Sequence, residues 1–336
     1  MNEAVATFVT GGTGFIGSKL VRKLVSAGET VHLLAREHSN LSGLMGAGVR
    51  IFRGDVTDVG SLRAATEGCH TVFHLAGYAR NWAPDPAVYT QVNVQGFRNA
   101  AQVALDAGVG RFVLTSTCMT FGPSDGQLTD EGTPRRTQVF LTEYERTKYL
   151  AEVEAEKLVA GGLALVIVNP TRVYGPGRLT EGNSVTRMVD MFLRGRFPAI
   201  LGKGTEVGNY VHVDDAVEVH LKAAEQGRVG QKYLAAGENC SLRDFFALVA
   251  ELSGRRPPRF RLPAAAARLF GRLEELKAKA FGKYPLITPG WVETFLRDWA
   301  VSNRKAVEEL GCAFRPLREG LAETIAWLGA NREGEA

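Results

Sequence analysis

Cysteine is scarce in this 336-residue sequence, and its cysteines are too far apart to form a recognisable motif. Closely spaced cysteine pairs are typical of structural zinc sites, and a high density of cysteines is typical of disulfide frameworks. The sequence has neither a C-x-x-C pair nor a cysteine-rich segment. We therefore expect no metal site, no disulfide and a reducing compartment. The four residues are Cys69, Cys118, Cys240 and Cys312.

The sequence also lacks a long apolar run, a signal-peptide pattern and a block of like charge. A membrane-spanning helix needs about 20 consecutive apolar residues, and a strand predicted from Val5 leaves no room for a secretory leader. The formal net charge is only +4, and prolines interrupt the densest basic cluster, at 255–261. These absences predict a cytoplasmic protein with no nucleic-acid partner and no stable membrane insertion.

A glycine-dense turn joins a predicted strand to a predicted helix at the start of the chain. Glycine lets the backbone turn tightly and approach a phosphate, and a helix N-terminus offers unpaired N–H groups to an anion. The spacing matches the G-x-G-x-x-G pattern of dinucleotide-binding turns. We predict that the turn binds a pyrophosphate through the segment that contains Gly11, Gly12, Thr13, Gly14, Phe15, Ile16 and Gly17.

Apolar strands alternate with helical patterns through the first half of the chain. Predicted strands at 30–35, 49–54, 72–77, 111–116 and 164–169 are separated by helices, notably at 86–107 and 143–160, and a late strand is predicted at 231–236. Strands buried on both faces and connected by helices form parallel sheets. The expected fold class is α/β, a Rossmann-type doubly wound parallel sheet with a smaller, interleaved C-terminal substrate domain.

The expected domain division follows the point at which this alternation ends. We assign residues 1–170 and roughly 211–236 to the dinucleotide-binding domain, and residues 171–210 and 237–330 to the substrate domain. Five aromatic residues of the second domain fit either an apolar substrate pocket or an ordinary core; they are Phe192, Phe197, Phe270, Phe281 and Trp291.

The segment 264–280 has the pattern of a basic amphipathic helix. Leu269, Phe270, Leu273 and Leu276 recur at helical spacing among arginine and lysine residues. Such a helix can lie on a membrane surface. In a chain of this size a helix that closes over a pocket is more common, and we expect that arrangement.

Tyr144 and Lys148 are four residues apart at the start of a predicted helix, so both side chains lie on one face. A nearby cation stabilises a phenolate, which would lower the tyrosine pKa from about 10 toward working pH. Such a tyrosine can give a proton to a reduced carbonyl or take one from an alcohol. The hydroxyl-rich strand end at 115–120 should point into the same crevice, because ligands bind beyond the carboxyl ends of parallel strands.

Further motifs fall in order along nearly the whole chain. Together with the glycine turn they resemble an extended short-chain dehydrogenase/reductase of the NAD-dependent epimerase/dehydratase superfamily. The segments WAPDP at 82–86 and GEN at 237–239 resemble the branch with dihydroflavonol-4-reductase-like proteins and hopanoid-associated sugar epimerases. The superfamily motifs are GDV at 54–56, HLAG at 74–77, NVQG at 93–96, TSTCMTFG at 115–122, YERTK at 144–148, NP at 169–170, VYGPG at 173–177 and YVHVDD at 210–215.

The resemblance implies a role for each matching residue. Tyr144 would be the acid/base, and Lys148 would activate it and hold the nicotinamide ribose. Thr117 stands where the family has its catalytic Ser or Thr, with Ser116 as the alternative, and Asn93 matches an asparagine that supports the proton relay. The further cofactor contacts that the resemblance implies are Asp55, Val56, Leu75, Ala76, Gly77, Val168 and Pro170.

The residue that ends the second strand selects the nicotinamide cofactor. An acid at this position binds the ribose 2′-hydroxyl of NAD(H), whereas an arginine accommodates the 2′-phosphate of NADP(H). Arg36 occupies the position here, and Glu37 follows it. We therefore expect NADP(H), with NAD(H) as the alternative.

Three functions remain open on this evidence. The preferred one is reduction of a carbonyl substrate or oxidation of an alcohol, and the alternative is a nucleotide-sugar epimerase or dehydratase. Nucleotide-sugar members of the family commonly carry an arginine where this chain has Gly208, although Arg172, Arg178 or Arg187 could replace it. A non-catalytic dinucleotide sensor is the third hypothesis. The resemblance also implies a homodimer through the helices at 86–107 and 143–160.

Overall fold

The structure is a computed structural model that describes residues 6–197 and 199–333. The predicted start of the first strand at Val5 lies outside these residues. In chain order the strands are β1 (Ala6–Thr10), β2 (Thr30–Ala35), β3 (Val49–Arg53), β4 (Cys69–His74), β5 (Arg111–Thr115), β6 (Leu165–Pro170), β7 (Arg172–Tyr174), β8 (Ala199–Leu201), β9 (Val207–His212), β10 (Lys232–Ala235), β11 (Glu238–Ser241) and β12 (Phe260–Leu262).

Most helices lie in the connections between these strands. They are α1 (Phe15–Ser26), α2 (Val59–Thr66), α3 (Ala87–Thr90), α4 (Phe97–Asp106), α5 (Glu143–Ala160), α6 (Ser184–Leu193), α7 (Val213–Gln226), α8 (Leu242–Ser253), α9 (Ala264–Phe281), α10 (Pro289–Phe295), α11 (Arg304–Leu310) and α12 (Leu317–Glu333). None of the helices in the described part of the chain is both long and apolar enough to cross a bilayer.

The central sheet has seven parallel strands in the order β10-β6-β5-β4-β1-β2-β3. The strand order reverses beside β1, which is where a doubly wound sheet opens its ligand-binding crevice. The expected α/β fold class is confirmed. The late strand predicted at 231–236 is the edge strand β10, and the order places the end of β5 two strands from the glycine turn that follows β1.

Helices cover both faces of the sheet. On one face α1 and α7 bury Leu20, Leu24 and Val217 against the strands. On the other face α2, α4 and α5 do the same with residues such as Leu62 and Phe97. The strands are buried on both sides by this packing, which explains their continuous apolar sequences.

A separate apolar cluster lies outside the sheet and involves α6, α8, α10 and α12. Its centre is formed by fully buried aromatic side chains, among them Tyr210, Phe245 and Phe246. The cluster includes segments from both parts of the proposed substrate domain. The domain boundaries themselves stay a prediction.

The helix predicted at 86–107 is interrupted in its first half. Residues Gln91–Gly96 form a π-helical segment between α3 and α4. Such segments insert one extra residue into a helical turn and turn a side chain away from its ordinary direction. Asn93 lies within this segment.

Helix α9 turns its leucines away from the protein. Its buried residues are the small Ala267, Gly271 and Ala278, whereas its leucines face outward. A Cβ on Gly271 would lie 3.1 Å from the backbone nitrogen of Pro289, so the small residues allow α9 to approach the start of α10 closely. The expectation that the apolar side of this helix closes over a pocket is therefore wrong, and α10 lines the cleft instead.

Candidate active site

The glycine turn after β1 is shaped by close backbone approaches. Gly11 has a φ of +71°, and a Cβ there would lie 2.5 Å from the Ala76 nitrogen and the Leu75 carbonyl carbon. Gly12 faces the core, where a Cβ would collide with the side chain of Leu33. A Cβ on Gly17 would meet the backbone of Gly11. Each glycine is thus required for a different steric reason.

The turn ends at an open helix N-terminus. Gly14 is the residue before α1, and no side chain caps the helix there. The first N–H groups of an α-helix have no partner within the helix, and together with the helix dipole they attract an anion. A cradle in which a Cβ would clash, next to uncapped N–H groups, fits the pyrophosphate of a dinucleotide cofactor.

A cleft of about 410 Å³ begins at this turn and runs past the ends of β4, β5 and β6. The predicted residues that line it are Gly11, Gly14, Phe15, Ile16, Gly17, Leu75, Gly77, Ser116, Thr117, Tyr144, Lys148 and Pro170. The predicted residues outside its lining are Gly12, Thr13, Arg36, Asp55, Val56, Ala76, Asn93 and Val168.

Tyr144 and Lys148 enter the cleft from the first turns of α5. Thr142 caps this helix, because its hydroxyl oxygen accepts a hydrogen bond from the Glu145 nitrogen at 3.1 Å. The Lys148 ammonium is buried and donates to the carbonyl oxygen of Thr115 at 2.6 Å. The amine is therefore held against the carboxyl end of β5.

The electrostatics of this pair differ from the expectation. Burial raises the pKa of Tyr144 to about 12, and a hydrogen bond with the Thr117 side chain only partly opposes it. Burial also lowers the pKa of Lys148 to about 8, against the attraction of the Glu152 carboxylate. The expected lowering of the tyrosine pKa is thus not found, because desolvation of the phenolate outweighs the other effects.

The two candidate hydroxyls at the end of β5 have different partners. Ser116 lines the cleft, but its hydroxyl donates to the buried carboxylate of Glu152. Thr117 caps the short 3₁₀ turn Cys118–Phe121 and interacts with the tyrosine. This difference favours Thr117 over Ser116 as the hydroxyl available to a substrate.

Glu152 connects the strand ends beneath the cleft. Besides Ser116, its carboxylate accepts hydrogen bonds from Thr120 at 3.0 Å and Asn169 at 2.7 Å, and it pairs with the Lys232 ammonium at 2.7 Å. These partners belong to the chain after β5, to β6 and to β10. The sequence analysis did not identify Glu152, although its spacing of four from Lys148 puts it on the same helix face.

Asn93 connects the loop after β4 to α5 without lining the cleft. Its side-chain oxygen accepts from the Tyr78 nitrogen at 2.6 Å, and its side-chain nitrogen donates to the Thr147 hydroxyl at 2.9 Å. The residue is buried, and both the oxygen and the nitrogen of its side-chain amide make hydrogen bonds. In this structure it acts on the site by holding two elements together.

Arg36 and Asp55, which are expected to contact the adenosine part of the cofactor, follow the ends of β2 and β3. Arg36 is exposed just after β2, and Asp55 accepts hydrogen bonds from the nitrogen and hydroxyl of Thr57. Arg53 donates to the carbonyl oxygens of Arg36 and Glu37 at 2.9 and 3.2 Å, which fixes the turn after β2. The sequence analysis missed Arg53.

The other end of the cleft has aromatic walls and one guanidinium. Trp291 and Phe295 come from α10, while Phe192 and Phe197 belong to the core and Phe270 and Phe281 are exposed. The guanidinium of Arg172 lies 4.3 Å from the centre of the Phe295 ring and donates to the Tyr210 hydroxyl at 3.2 Å.

Comparison with known proteins gives a consistent result. Residues 7–236 match the model of the NAD dependent epimerase/dehydratase family. A Synechocystis sp. protein whose name carries the words dihydroflavonol 4-reductase is 31% identical, covering 96% of this chain and 94% of its own. Sterol demethylase protein B of Methylococcus capsulatus is also 31% identical, covering 96% and 98%. The solved structure of MoeE5 in complex with UDP-glucuronic acid and NAD is 28% identical, with a TM-score of 0.76 and coverage of 97% and 99%.

Burial of the charged Lys148 is expected to lower the free energy of unfolding, although the residue is a candidate for function. Below pH 8 the ammonium is charged in both the folded and unfolded states, so its burial penalty is fully present. We expect Lys148→Met to stabilise the nucleotide-free protein at pH 7 by about 1–3 kcal/mol, the penalty less one lost hydrogen bond. Denaturant unfolding measures the difference.

The pH dependence provides a second readout. Between pH 8 and the ordinary lysine pKa of 10.5, Lys148 loses its proton in the folded protein and keeps it in the unfolded chain. The stability of the wild type should therefore rise toward that of Lys148→Met over this range. Lys157→Met, at an exposed position of the same helix, is the matched control and should change little. A destabilised Lys148→Met protein at pH 7 would contradict the assignment.

Proposed function

The chain belongs to the NAD dependent epimerase/dehydratase family, and on that premise we propose that it is a nicotinamide-dependent oxidoreductase that interconverts a carbonyl group and an alcohol on an apolar small molecule. One observation carries the proposal. Thr117, Tyr144 and Lys148 line the same cleft as the glycine turn. A substrate in this cleft would therefore lie next to the bound cofactor and within reach of a proton donor, Tyr144, and a hydrogen-bond donor, Thr117.

Each residue has a role in the proposed reduction. When bound, the nicotinamide cofactor supplies the hydride that adds to the carbonyl carbon. Tyr144 gives its phenolic proton to the carbonyl oxygen, so that one hydride and one proton convert the carbonyl to an alcohol. The Thr117 hydroxyl hydrogen-bonds the same oxygen and stabilises the negative charge that develops on it. Lys148 holds the ribose and compensates charge on the phenolate.

The pKa of about 12 at Tyr144 agrees with this direction of proton transfer. The phenol stays protonated at neutral pH and is ready to donate. Burial also raises the pKa of the neighbouring Cys118 thiol to about 12, which keeps that residue protonated and makes it a poor nucleophile. We therefore assign no nucleophilic role to Cys118.

The walls of the cleft support an apolar substrate. Trp291, Phe295 and Trp299 contribute aromatic side chains to the lining of the cleft, and the Arg172 guanidinium lies on the Phe295 ring. Two relatives have names that refer to polycyclic molecules, a dihydroflavonol in one case and a sterol in the other. We therefore propose a ketone or aldehyde on a ring system as the substrate class.

A nucleotide-sugar epimerase or dehydratase is the second candidate, and Arg172 is the observation that favours it. A Cβ on Gly208 would collide with the Arg172 guanidinium. The Arg172 side chain therefore occupies the space that any larger residue at position 208 would need. A guanidinium can grip a diphosphate. The solved structure of MoeE5 contains UDP-glucuronic acid. Against this candidate, the guanidinium is already bound to Tyr210 and stacked on Phe295.

Replacement of the phenol tests the proposed chemistry. We expect Tyr144→Phe to lower turnover by roughly 10²- to 10⁴-fold, because the general acid is lost while the ring is kept. The near-ultraviolet absorbance of NADPH is followed with a panel of cyclic ketones, aldehydes and nucleotide sugars. Cofactor affinity, measured by fluorescence titration, should be unchanged.

Tyr149→Phe removes a phenol outside the cleft lining on the same helix and is the matched control. Consumption of NADPH by this control but not by Tyr144→Phe supports the reductase. A nucleotide sugar that is converted without net loss of NADPH would favour the second candidate, and full turnover by Tyr144→Phe would reject the role of the tyrosine.

For the cofactor we propose NADP(H) over NAD(H), because Arg36 is exposed at the selecting position and Arg53 fixes its backbone. The MoeE5 structure contains NAD, so the cofactor preference of this chain has to be measured for both cofactors. Arg36→Ala should weaken NADPH binding by about ten- to a hundredfold, the value of a charged hydrogen bond, and NADH binding far less. Calorimetric titration measures both, with Arg63→Ala on α2 as control. Equal losses for the two cofactors would favour NAD(H).

We also propose that the chain forms a homodimer through α4 and α5. Twofold dimers are the commonest assembly of soluble proteins, and the resemblance to extended short-chain dehydrogenases/reductases implies an interface through these helices. Sedimentation velocity should give twice the monomer mass at working concentration. A monomer at all accessible concentrations would contradict this assembly.

A further inference from the structure

Large exposed apolar side chains are concentrated in one segment of the protein. Of the fifteen such side chains among the described residues, eight lie between 260 and 286. Soluble monomers rarely expose contiguous apolar patches of this kind unless something binds there. The residues are Phe260, Leu269, Phe270, Leu273, Leu276, Phe281, Tyr284 and Leu286.

Helix α9 is the centre of this surface. Its leucines are exposed because its small residues pack against the protein. The small residues Ala267, Gly271 and Ala278 face the protein. Leu269 and Leu276 are 60% and 63% exposed, and Phe281 at the end of the helix is 73% exposed. A rotation of the helix that buried the leucines would remove its close contact with α10.

The same segment has a larger net positive charge than the whole chain. Residues 254–286 contain nine basic and two acidic side chains, a formal charge of +7, whereas the whole chain carries +4, so the remainder is at −3. Arg268, Lys277 and Lys279 have acidic partners in Glu293, Glu274 and Glu275. In the described part of the chain, no carboxylate pairs with the remaining basic residues of this segment, Arg255, Arg256, Arg259, Arg261, Arg272 and Lys283.

We propose that the exposed face of α9, together with Phe281 and Leu286, docks on the surface of an anionic phospholipid bilayer. Leucine and phenylalanine side chains would enter the boundary between headgroups and acyl chains. Arginine and lysine side chains would meet the lipid phosphates, as juxtamembrane basic clusters do. The docking is peripheral, since the described helices include none that could span a membrane.

Charge decides between a bilayer and a second copy of this chain. In a twofold dimer through this surface, residues 264–286 of each copy, with five basic and two acidic side chains and a formal charge of +3, would face the same residues of the partner. Like charges at short distance repel, and the described part of the surface offers few acidic groups to offset them. An anionic bilayer attracts the same charges, so it is the occupant that the surface fits.

The docking surface is continuous with the wall of the cleft. The Tyr284 hydroxyl accepts hydrogen bonds from the backbone nitrogens of Asn81 and Trp82, at 3.0 and 3.3 Å, and Asn81 lines the cleft. Helix α10, which packs on α9, supplies Trp291 and Phe295 to the same cleft. Docking would therefore hold the apolar end of the cleft near the lipid. The docking itself does not depend on which reaction the cleft performs.

Flotation of the full chain with lipid vesicles tests the proposal. We expect binding to vesicles of phosphatidylcholine mixed with phosphatidylglycerol, weaker binding to phosphatidylcholine alone, and loss of binding as salt is raised. The triple variant Leu269→Gln/Leu273→Gln/Leu276→Gln should bind at least about tenfold more weakly, because its apolar contacts are lost. The positions are exposed, so the variant should keep its thermal stability and its NADPH affinity.

A matched triple variant provides the control. Met45→Gln/Leu128→Gln/Val139→Gln changes three exposed apolar residues outside the docking surface and should bind vesicles as the wild type does. Equal vesicle binding by both triple variants, or no binding by the wild type, would overturn the proposal. So would a dimer, detected by sedimentation, that only the α9 variant loses, because a second copy would then cover the surface.

Discussion

The buried Glu152 carboxylate is the interaction on which the arrangement of the candidate site depends. A carboxylate taken out of water is costly unless charged and polar partners surround it. Here the partners are the side chains of Ser116, Thr120, Asn169 and Lys232. Because these residues follow or belong to three neighbouring strands, one carboxylate sets the relative positions of the strand ends. Lys148 lies one helical turn before Glu152, so the same interaction places the ammonium at the end of β5.

Elements with a local signal could be predicted closely from the sequence. The bounds of α5 match the prediction of 143–160, because Thr142 caps the helix and glycine follows its end. The bounds of β2 match as well, since its apolar residues begin after the turn at Gly28 and end before the charged Arg36 and Glu37. The π-helical segment around Asn93 could not be predicted, because an inserted residue leaves no mark on the apolar pattern.

Features that depend on tertiary packing could not be predicted in the same way. The sequence identified Thr117 and Ser116 as alternatives, but the partner that engages the Ser116 hydroxyl is Glu152, which lies more than thirty residues away. The pattern of α9 shows an apolar and a basic side, yet it does not say which side faces the protein. In the structure the side with Gly271 faces the protein, where it contacts the start of α10 closely, and three leucines stay exposed.

The same reasoning explains why the tyrosine pKa differs in direction from the expectation. A spacing of four residues predicts that the phenol and the ammonium share a helix face, and it contains no information about water. Burial penalises the charged form of both groups, so the tyrosine pKa rises while the lysine pKa falls. Both shifts favour the pair in its state with fewer charges. At neutral pH the cleft therefore holds a neutral proton donor in Tyr144 and a charged ammonium in Lys148, next to a cradle for an anionic cofactor.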